Sequence, residues 1–365
     1  MNRCLGKIAF LLSCVKFGGA ERVALNLAHA LRGRGFSIDI VLMVNEGEFL
    51  QEAQLNFNVV DLACNKTYKL PAKFLKYVLE EKPTFVISSF WKLNFCACMV
   101  RAFWPSFGLA LWEHSSPYQT KSTDRLYYFV VSNTLYHIAN HIVAVSRGVG
   151  DLIKQNSLAL KGKVVCLPNP IPGPEPILLT VARARHERWV KGNNTNIVYV
   201  GRLAPEKNPL LLLRAFIRVP DLIKKNMTLT FVGDGPLRSE LEQMILDLHL
   251  CERVKCTGFQ IAPYEIIARS DILVLPSNRE GLPSVLIEAL YCGCSIVATD
   301  CGGGVRDILQ DGRFGTLVPV GDEEALAEGI LTEAEMKRCF EHQVTGTARF
   351  SPDAVARLFQ DTIFK

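Results

Sequence analysis

Short apolar runs alternate with amphipathic helical patterns along almost the whole chain, and this alternation restricts the possible fold more than any other feature. Residues 20–31 carry apolar side chains at positions 23, 24, 27, 28 and 31, a spacing typical of one face of a helix. Strands separated by helices predict parallel sheets that helices cover on both faces. In the first half the predicted strands are residues 8–14, 38–44, 85–88, 142–145 and 164–167, and Trp112-Glu113-His114-Ser115 ends another.

A proline-rich stretch, residues 168–176, interrupts the alternation and cannot form a helix or a central strand. The alternation then resumes, with predicted strands at 197–200, 229–232, 272–275 and 295–299 and predicted helices from 209, at 237–248 and at 284–292. A length of 365 residues also favours two domains. We therefore predict two doubly wound α/β domains, at residues 1–170 and 196–349, with a linker or insertion at 171–195 and a short C-terminal crossover helix at 350–365. Ligand would bind in a cleft between them, at carboxyl ends of strands.

Charge is distributed unevenly between the two halves. Residues 1–175 contain 19 basic and 12 acidic side chains, a net charge of +7, whereas the remainder carries −2. This asymmetry predicts an anionic partner for the first half. No nucleic-acid-binding module is recognisable, so we expect no nucleic acid and favour an anionic membrane surface or a lipid that carries pyrophosphate.

No apolar run is long enough to predict a membrane-spanning helix, because the best candidate, residues 95–112, is broken by Arg101 and Pro105. The aromatic pairs Phe90-Trp91 and Phe103-Trp104 and the triplet at 127–129 instead favour peripheral contact with the inner face of the cytoplasmic membrane. The twelve cysteines form no C-x-x-C pair, so we expect reduced thiols in a cytoplasmic protein and no metal site.

Three loops that follow predicted strands have the composition of anion-binding turns. Gly18-Gly19 precedes the first helix, although a tight structural turn would explain it equally well. Gly201-Arg202 and Lys207 place two cations five residues apart, a pairing suited to a diphosphate. The Gly-Asp-Gly turn at 233–235 is at least as consistent with a structural role as with ligand contact.

Two glutamates flank the start of a predicted helix in the second half. Gly281 and Pro283 exclude helix before Ser284, so Glu280 lies in a loop, while Glu288 falls in the second helical turn among apolar residues. A carboxylate in such surroundings requires a partner or a ligand. Helix N–H groups for phosphate and carboxylates for sugar hydroxyls would together suit a phosphorylated sugar.

Taken together, these motifs resemble the family 4 retaining glycosyltransferases of the GT-B fold, which transfer a sugar from a nucleotide-sugar donor without a metal. The resemblance covers residues 7–319 and resumes at 350–352. It implies that Arg202 and Lys207 bind the donor diphosphate, Glu288 the ribose hydroxyls and Glu280 the transferred sugar. It further implies donor contacts for the remaining site residues: Gly19 with a phosphate, His114 near the transferred sugar, Phe259 in the nucleobase pocket, and the amides of Gly281, Leu282, Pro283 and Ser284, although Pro283 has no N–H of its own.

The first residues of the resemblance are most similar to bacterial enzymes of capsule, O-antigen or lipid-linked oligosaccharide synthesis. They imply a UDP-sugar donor, a hexose or N-acetylhexosamine as the transferred group, a lipid-linked or glycan acceptor, and no additional cofactor. Because no second carboxylate is evident on the first domain, we favour a same-face substitution, in which a departing phosphate oxygen takes the acceptor proton, over a covalent double displacement.

Other function classes fit parts of the pattern. A nucleotide-sugar epimerase or a phosphorylase could use the same two-domain fold. A non-catalytic nucleotide-sugar-binding partner of another transferase would retain Arg202, Lys207 and Glu288, but would not need Glu280 and His114. A nicotinamide-dependent dehydrogenase is disfavoured, because Gly18-Gly19 lacks the third glycine of the dinucleotide fingerprint.

Overall fold

The computed structural model describes residues 5–16, 19–114, 129–157, 160–171, 194–260, 263–336, 338 and 340–364. The chain divides into two compact units, one formed by Met1–Pro172 with Phe350–Lys365 and the other by Gly173–Arg349. Most of the expected insertion at 171–195 lies outside the described residues. Gly18 also lies outside them.

The first unit is built on a seven-stranded parallel sheet in the order β3-β2-β1-β4-β5-β6-β7. Its strands are β1 (Lys7–Leu12), β2 (Ser37–Leu42), β3 (Asn58–Asp61), β4 (Phe85–Ser89), β5 (Gly108–Glu113), β6 (His141–Ala144) and β7 (Val164–Cys166). Its helices include α1 (Gly19–Gly33), α2 (Leu50–Asn56), α3 (Leu70–Glu81), α4 (Trp91–Phe103) and α5 (Arg147–Asn156). The central strands are buried on both faces, as expected where helices cover both sides of a parallel sheet.

The second unit repeats this plan with a six-stranded parallel sheet in the order β10-β9-β8-β11-β12-β13. Its strands are β8 (Thr195–Val200), β9 (Met227–Val232), β10 (Val254–Cys256), β11 (Ile272–Leu275), β12 (Ser295–Thr299) and β13 (Thr316–Val318). Its helices are α6 (Pro209–Arg218), α7 (Asp221–Lys224), α8 (Arg238–Asp247), α9 (Tyr264–Ala268), α10 (Ser284–Cys292), α11 (Val305–Leu309), α12 (Glu323–Met336) and α13 (Phe340–Thr345). Leu211, Phe216 and Phe231 are among its fully buried core residues.

The expected fold class, two Rossmann-like α/β units, is confirmed. The sequence pattern did not identify β3, β10 or β13, which are three or four residues long. In β3 polar residues flank two valines, and in β10 a lysine separates two apolar residues, so neither strand is long enough to show a period.

The last helix, α14 (Pro352–Ile363), packs on the first unit. Its first turn is stabilised by Ser351, whose hydroxyl accepts a hydrogen bond from the N–H of Ala354 at 3.3 Å. Arg34 at the end of α1 then holds the exposed face of the helix, donating to Gln360 at 2.8 Å and to Asp353 at 3.1 Å. Within the described parts of the chain, no helix has the length and apolar character needed to cross a bilayer.

Candidate functional site

The second unit collects most of the predicted site residues at the carboxyl edge of its sheet. Residues 201–208 follow β8, residues 276–283 follow β11, and residues 300–304 follow β12. In a parallel sheet all strands end at the same edge, so neighbouring strands bring these loops together. Ligands of doubly wound folds bind at this edge, and side chains here can therefore act on a common ligand.

An ion pair between Lys207 and Glu280 lies at the centre of this edge. The ammonium of Lys207 is 2.7 Å from both carboxylate oxygens of Glu280, and the Ser277 hydroxyl donates to Oε1 at 2.7 Å. The Glu280 side chain is 5% exposed and that of Lys207 is 30% exposed. Three charge-assisted or polar contacts therefore hold a largely buried carboxylate in one position, with its cationic partner still open to solvent.

Asn278 joins the two loops that carry this pair. Its backbone N–H donates to the carbonyl of Glu206 at 2.9 Å, and its side-chain amide donates to the carbonyl of Pro205 at 2.9 Å. Its amide oxygen accepts from Asn208 at 3.2 Å. Asn208 has a left-handed backbone, with φ of 47°, which asparagine adopts more readily than most residues. These bonds set the distance between Lys207 and Glu280.

Close approach of backbone to backbone explains two of the glycines. At Gly233, with φ of +140°, a Cβ atom would lie 1.9 Å from the carbonyl oxygen of Gly201. At Gly303, with φ of +63°, a Cβ would lie 2.1 Å from the carbonyl oxygen of Glu280. Packing of neighbouring loops thus requires glycine at both positions. For the Gly-Asp-Gly turn this supports the structural interpretation that the sequence had left open.

Arg202, the second predicted cation, projects from the same loop as Lys207. It is exposed, and its guanidinium contacts no hydrogen-bond acceptor among the described residues. The loop itself is fixed, because the Tyr199 hydroxyl donates to the Arg202 carbonyl at 2.8 Å. Burial and the nearby carboxylates raise the pKa of Tyr199, so its phenol remains a donor. A fixed backbone with an unengaged guanidinium suits capture of an incoming anion.

The start of α10 follows Glu280 directly. Gly281 is half-buried, Leu282 is 7% exposed and Pro283 is buried. The Gly281 carbonyl accepts from the N–H of Gly304 at 2.6 Å, which ties this turn to the loop after β12. The first N–H groups of a helix have no partner within it, so the nine-residue α10 presents donors and the positive end of its dipole beside the ion pair, beginning at Ser284.

Glu288 lies in the second turn of α10, as its spacing predicts. It is half-buried and has no hydrogen-bonding or ion-pair partner among the described residues. Burial raises the pKa of its carboxyl group to about 7. The sequence required a partner or ligand for this carboxylate, and the described part of the chain provides no partner.

Phe259, another of the predicted contacts in this unit, follows β10. Its ring is 55% exposed. The preceding residue, Gly258, has φ of +74°, and its carbonyl accepts from the N–H of Gly233 at 2.9 Å. The loop that presents Phe259 is thereby attached to the loop after β9. An exposed aromatic ring on a fixed loop can stack on a flat ligand group.

In the first unit, His114 immediately follows β5. Its Nε2 is 3.4 Å from the hydroxyl of Ser89, and its ring centroid is 4.8 Å from that of Trp112. Its Nδ1 is buried without a partner among the described residues. Burial lowers the pKa of the imidazole to about 4, so the ring is neutral near pH 7. Gly19 begins α1 at the same edge of the sheet, and its Cα faces open space.

Sequence reasoning named Ser277 and Asn278 as part of the motif without giving either a role. Both follow a buried strand and precede a candidate acid, and that position could have indicated contacts to Glu280. Which carbonyls Asn278 would reach depends on the loop after β8, which is 70 residues away in the chain.

Two segments of the chain match known glycosyltransferase families. Residues 17–172 match Glycosyltransferase Family 4, and residues 183–338 match the glycosyl transferases group 1 family. A relative from Campylobacter jejuni is 31% identical over 345 residues, which cover 90% of each chain. That relative is N-acetylgalactosamine-N,N'-diacetylbacillosaminyl-diphospho-undecaprenol 4-alpha-N-acetylgalactosaminyltransferase. The chain belongs to the family 4 glycosyltransferases.

A second sequence relative and a solved structure are also similar to this glycosyltransferase. A second Campylobacter jejuni enzyme, GalNAc-alpha-(1->4)-GalNAc-alpha-(1->3)-diNAcBac-PP-undecaprenol alpha-1,4-N-acetyl-D-galactosaminyltransferase, is 26% identical over 333 residues, 89% of this chain and 88% of that enzyme. The crystal structure of Anabaena HepE in complex with UDP superposes with a TM-score of 0.81 at 22% identity, covering 98% of this chain and 99% of that one. This similarity confirms the GT-B fold expected from the sequence.

Proposed function

We propose that this glycosyltransferase moves a hexose or N-acetylhexosamine from a UDP-sugar to a lipid-linked or glycan acceptor, with retention at the anomeric carbon. The observation that carries the proposal is the Lys207–Glu280 pair beside the start of α10, with Arg202 exposed on the same loop as Lys207. The arrangement offers cations and helix N–H groups for a diphosphate and a positioned carboxylate for sugar hydroxyls. HepE, with a similar fold, is crystallised with UDP and with UDP-glucose.

Lys207 would change partners when donor binds. In the absence of donor its ammonium neutralises Glu280 at 2.7 Å. A diphosphate next to the loop would share that ammonium and recruit the guanidinium of Arg202. Glu280 would remain oriented by Ser277 and would accept hydrogen bonds from hydroxyls of the transferred sugar.

The leaving diphosphate gains negative charge as the glycosidic bond breaks. Lys207, Arg202 and the N–H groups of α10 would stabilise that charge, commonly the largest catalytic contribution in such reactions. We favour a same-face substitution in which a departing phosphate oxygen takes the acceptor proton. The neutral imidazole of His114 would approach the transferred sugar as a hydrogen-bonding group without adding positive charge.

Glu288 and Phe259 would recognise the nucleoside. The unpartnered carboxyl of Glu288 would accept from the ribose hydroxyls, and the exposed Phe259 ring would stack on the base. Gly19, an exposed residue without a side chain, would allow a donor phosphate to approach α1 in the first unit.

We further propose that the acceptor is carried by a membrane, to which the protein binds peripherally at the inner face of the cytoplasmic membrane. The two Campylobacter relatives act on undecaprenol diphosphate-linked substrates according to their names. In the first unit Phe103 is 76% exposed, and Trp104 and Phe129 are each 45% exposed. Tyr127 and Tyr128 lie outside the described residues. Exposed aromatics, together with the net charge of +7 over residues 1–175, suit an anionic lipid surface.

Purified protein incubated with a panel of UDP- and GDP-sugars and a bacterial lipid extract tests the activity directly. We expect transfer from a UDP-sugar to lipid-extractable product, and we expect it to persist in EDTA. Conversion of the donor sugar without any acceptor would instead indicate an epimerase, and UDP binding without turnover would indicate a binding partner. Loss of transfer in EDTA that Mn²⁺ or Mg²⁺ restores would contradict the metal-independent site.

Vesicle co-sedimentation tests the membrane proposal separately. Binding should require anionic lipid and should fall as salt increases through the screening range. Equal recovery in the supernatant with neutral and anionic vesicles at low salt would favour an acceptor in solution.

A further inference from the structure

An aromatic stack connects the last helix of the chain to His114. Phe359 on α14 is fully buried, and its ring centroid is 5.4 Å from that of Trp112. Trp112 on β5 lies two residues before His114, so both side chains project from the same face of the sheet, and their centroids are 4.8 Å apart. Phe359 thus supports the ring on which the imidazole rests.

Polar contacts hold the imidazole only weakly. Its one hydrogen-bonding contact among the described residues is with Ser89, at 3.4 Å, near the outer limit for such a bond. Its Nδ1 and the indole N–H of Trp112 are both buried without described partners. Hydrogen bonds are directional and can fix the orientation of a ring. Here the orientation of the imidazole depends instead on ring packing.

We propose that Phe359 is a positioning residue for the transferase reaction, which sets the orientation of His114 through Trp112. This inference rests on the proposed role of His114 near the transferred sugar. It gives the C-terminal helix a part in the reaction, although α14 comes more than 200 residues after His114 in the sequence.

The helix is well placed for this role. Arg34 donates to Gln360, the residue next to Phe359, and so prevents α14 from sliding along α1. Val355, Ala356 and Ile363 are buried on the same face of the helix. A smaller side chain at 359 would therefore leave space against Trp112 that a shift of the helix could not fill.

Phe364 provides a matched control. It follows α14 and packs against Phe36 at 5.1 Å and Phe85 at 4.9 Å. Phe85 begins β4, whereas Ser89, the neighbour of His114, ends it. Phe85 and Ser89 are four positions apart, about 13 Å along the strand. Loss of either phenyl ring removes aromatic packing from the first unit, but only Phe359 contacts Trp112.

The experiment compares Phe359→Leu with Phe364→Leu in the full-length protein, alone and combined with His114→Ala. We expect Phe359→Leu to lower kcat about tenfold, as expected for a misplaced group, with little change in UDP affinity, and Phe364→Leu to change kcat less than twofold. In the His114→Ala background Phe359→Leu should cause no further loss, because the two changes remove one interaction. Equal effects of the two substitutions on kcat, or a full additional loss in that background, would overturn the inference.

A second measurement is independent of activity. The ring protons of His114, assigned by the signal missing in His114→Ala, should shift in the NMR spectrum of Phe359→Leu and stay at their wild-type positions in Phe364→Leu. Unchanged signals in both variants would refute positioning by Phe359, whatever the donor. A further outcome is that His114→Ala leaves turnover unchanged while the His114 signals shift in Phe359→Leu as expected. In that case the proposed role of His114 is wrong and the packing inference stands. Should Phe359→Leu fail to fold, Phe359→Met, whose flexible unbranched side chain adapts better to an irregular space, replaces it.

Discussion

The two units repeat one strand order, β3-β2-β1-β4-β5-β6 in the first and β10-β9-β8-β11-β12-β13 in the second, but their carboxyl edges hold different groups. The second unit places a lysine and a glutamate in direct contact, with an arginine nearby. The first unit has Ser89 at the end of β4 and His114 directly after β5, and the imidazole is neutral and packed on Trp112. The fold alone therefore does not determine the chemistry of this edge.

The difference follows from how each edge is stabilised. In the second unit, hydrogen bonds through Asn278 and close backbone contacts at Gly233 and Gly303 fix the loops, so charged side chains can remain partly open to solvent. In the first, apolar packing surrounds His114, and desolvation keeps it uncharged. We infer that the second edge is organised for an anion, whereas the His114 side chain of the first edge suits a neutral, hydroxyl-rich group.

Of the substitutions that test this comparison, Glu280→Gln should have the largest effect on turnover. The substitution would keep the size of the side chain but remove its charge, its ion pair with Lys207 and its strength as an acceptor for sugar hydroxyls. We expect kcat to fall roughly 100-fold with a much smaller change in donor affinity, because the group would orient the reacting sugar. Steady-state kinetics with calorimetric UDP binding measures both. A loss confined to donor affinity would show that Glu280 does not orient the sugar.

Lys207→Ala should weaken UDP binding tenfold or more, the scale of about 1.5–3 kcal/mol expected for a charge-assisted hydrogen bond. Isothermal titration calorimetry measures it, with Lys255→Ala, an exposed lysine of the same unit, as the control. Unchanged affinity would remove Lys207 from the diphosphate site. Because Glu280 would also lose its cationic partner, a thermal melt should accompany the titration.

Glu288→Gln should weaken donor binding severalfold and also change how stability depends on pH. The folded-state pKa of about 7 lies above that of an unfolded chain, so the folded protein favours the protonated form. The protonated Glu288 carboxyl contributes fully to stability at pH 4, and this contribution is lost as pH rises through 7. A glutamine at this position would have no such loss, so the variant should be more stable than wild type at pH 8, by about 1–3 kcal/mol, and similar at pH 4. Thermal melts at both pH values, without donor, provide the test. A stability difference that does not vary with pH would mean that Glu288 has an ordinary pKa.

The last prediction concerns pH dependence at His114, where the expected change is the smallest. With a pKa of about 4, the imidazole should not titrate between pH 5.5 and 8, so His114→Gln should lower turnover by a similar factor at every pH in that range. Profiles of kcat against pH for the two proteins should therefore be parallel. If the ratio of the two kcat values changes near pH 6.5, His114 is exposed and ionisable rather than neutral.

The strands and helices that the sequence predicted well are long or buried. For α10, β11 and β12 the predicted and observed bounds agree, because Pro276, Pro283 and Gly293 interrupt the pattern between these largely apolar segments. The short β13, with only three residues, is too short to show a hydrophobic period. Among site residues, the loop position of Glu280 and the helical position of Glu288 followed from Gly281 and Pro283, whose backbones exclude helix before Ser284.

The sequence by itself determined the class of fold, the family, and the types of group available to a donor, because periodicity and loop composition are local properties that a linear pattern records. Only the tertiary structure decided that Lys207 binds Glu280, that Asn278 joins their loops, and that Phe359 supports Trp112. These contacts join residues 70 or more positions apart. They depend on which strands become neighbours in the sheet and on where the last helix packs, which no local pattern specifies.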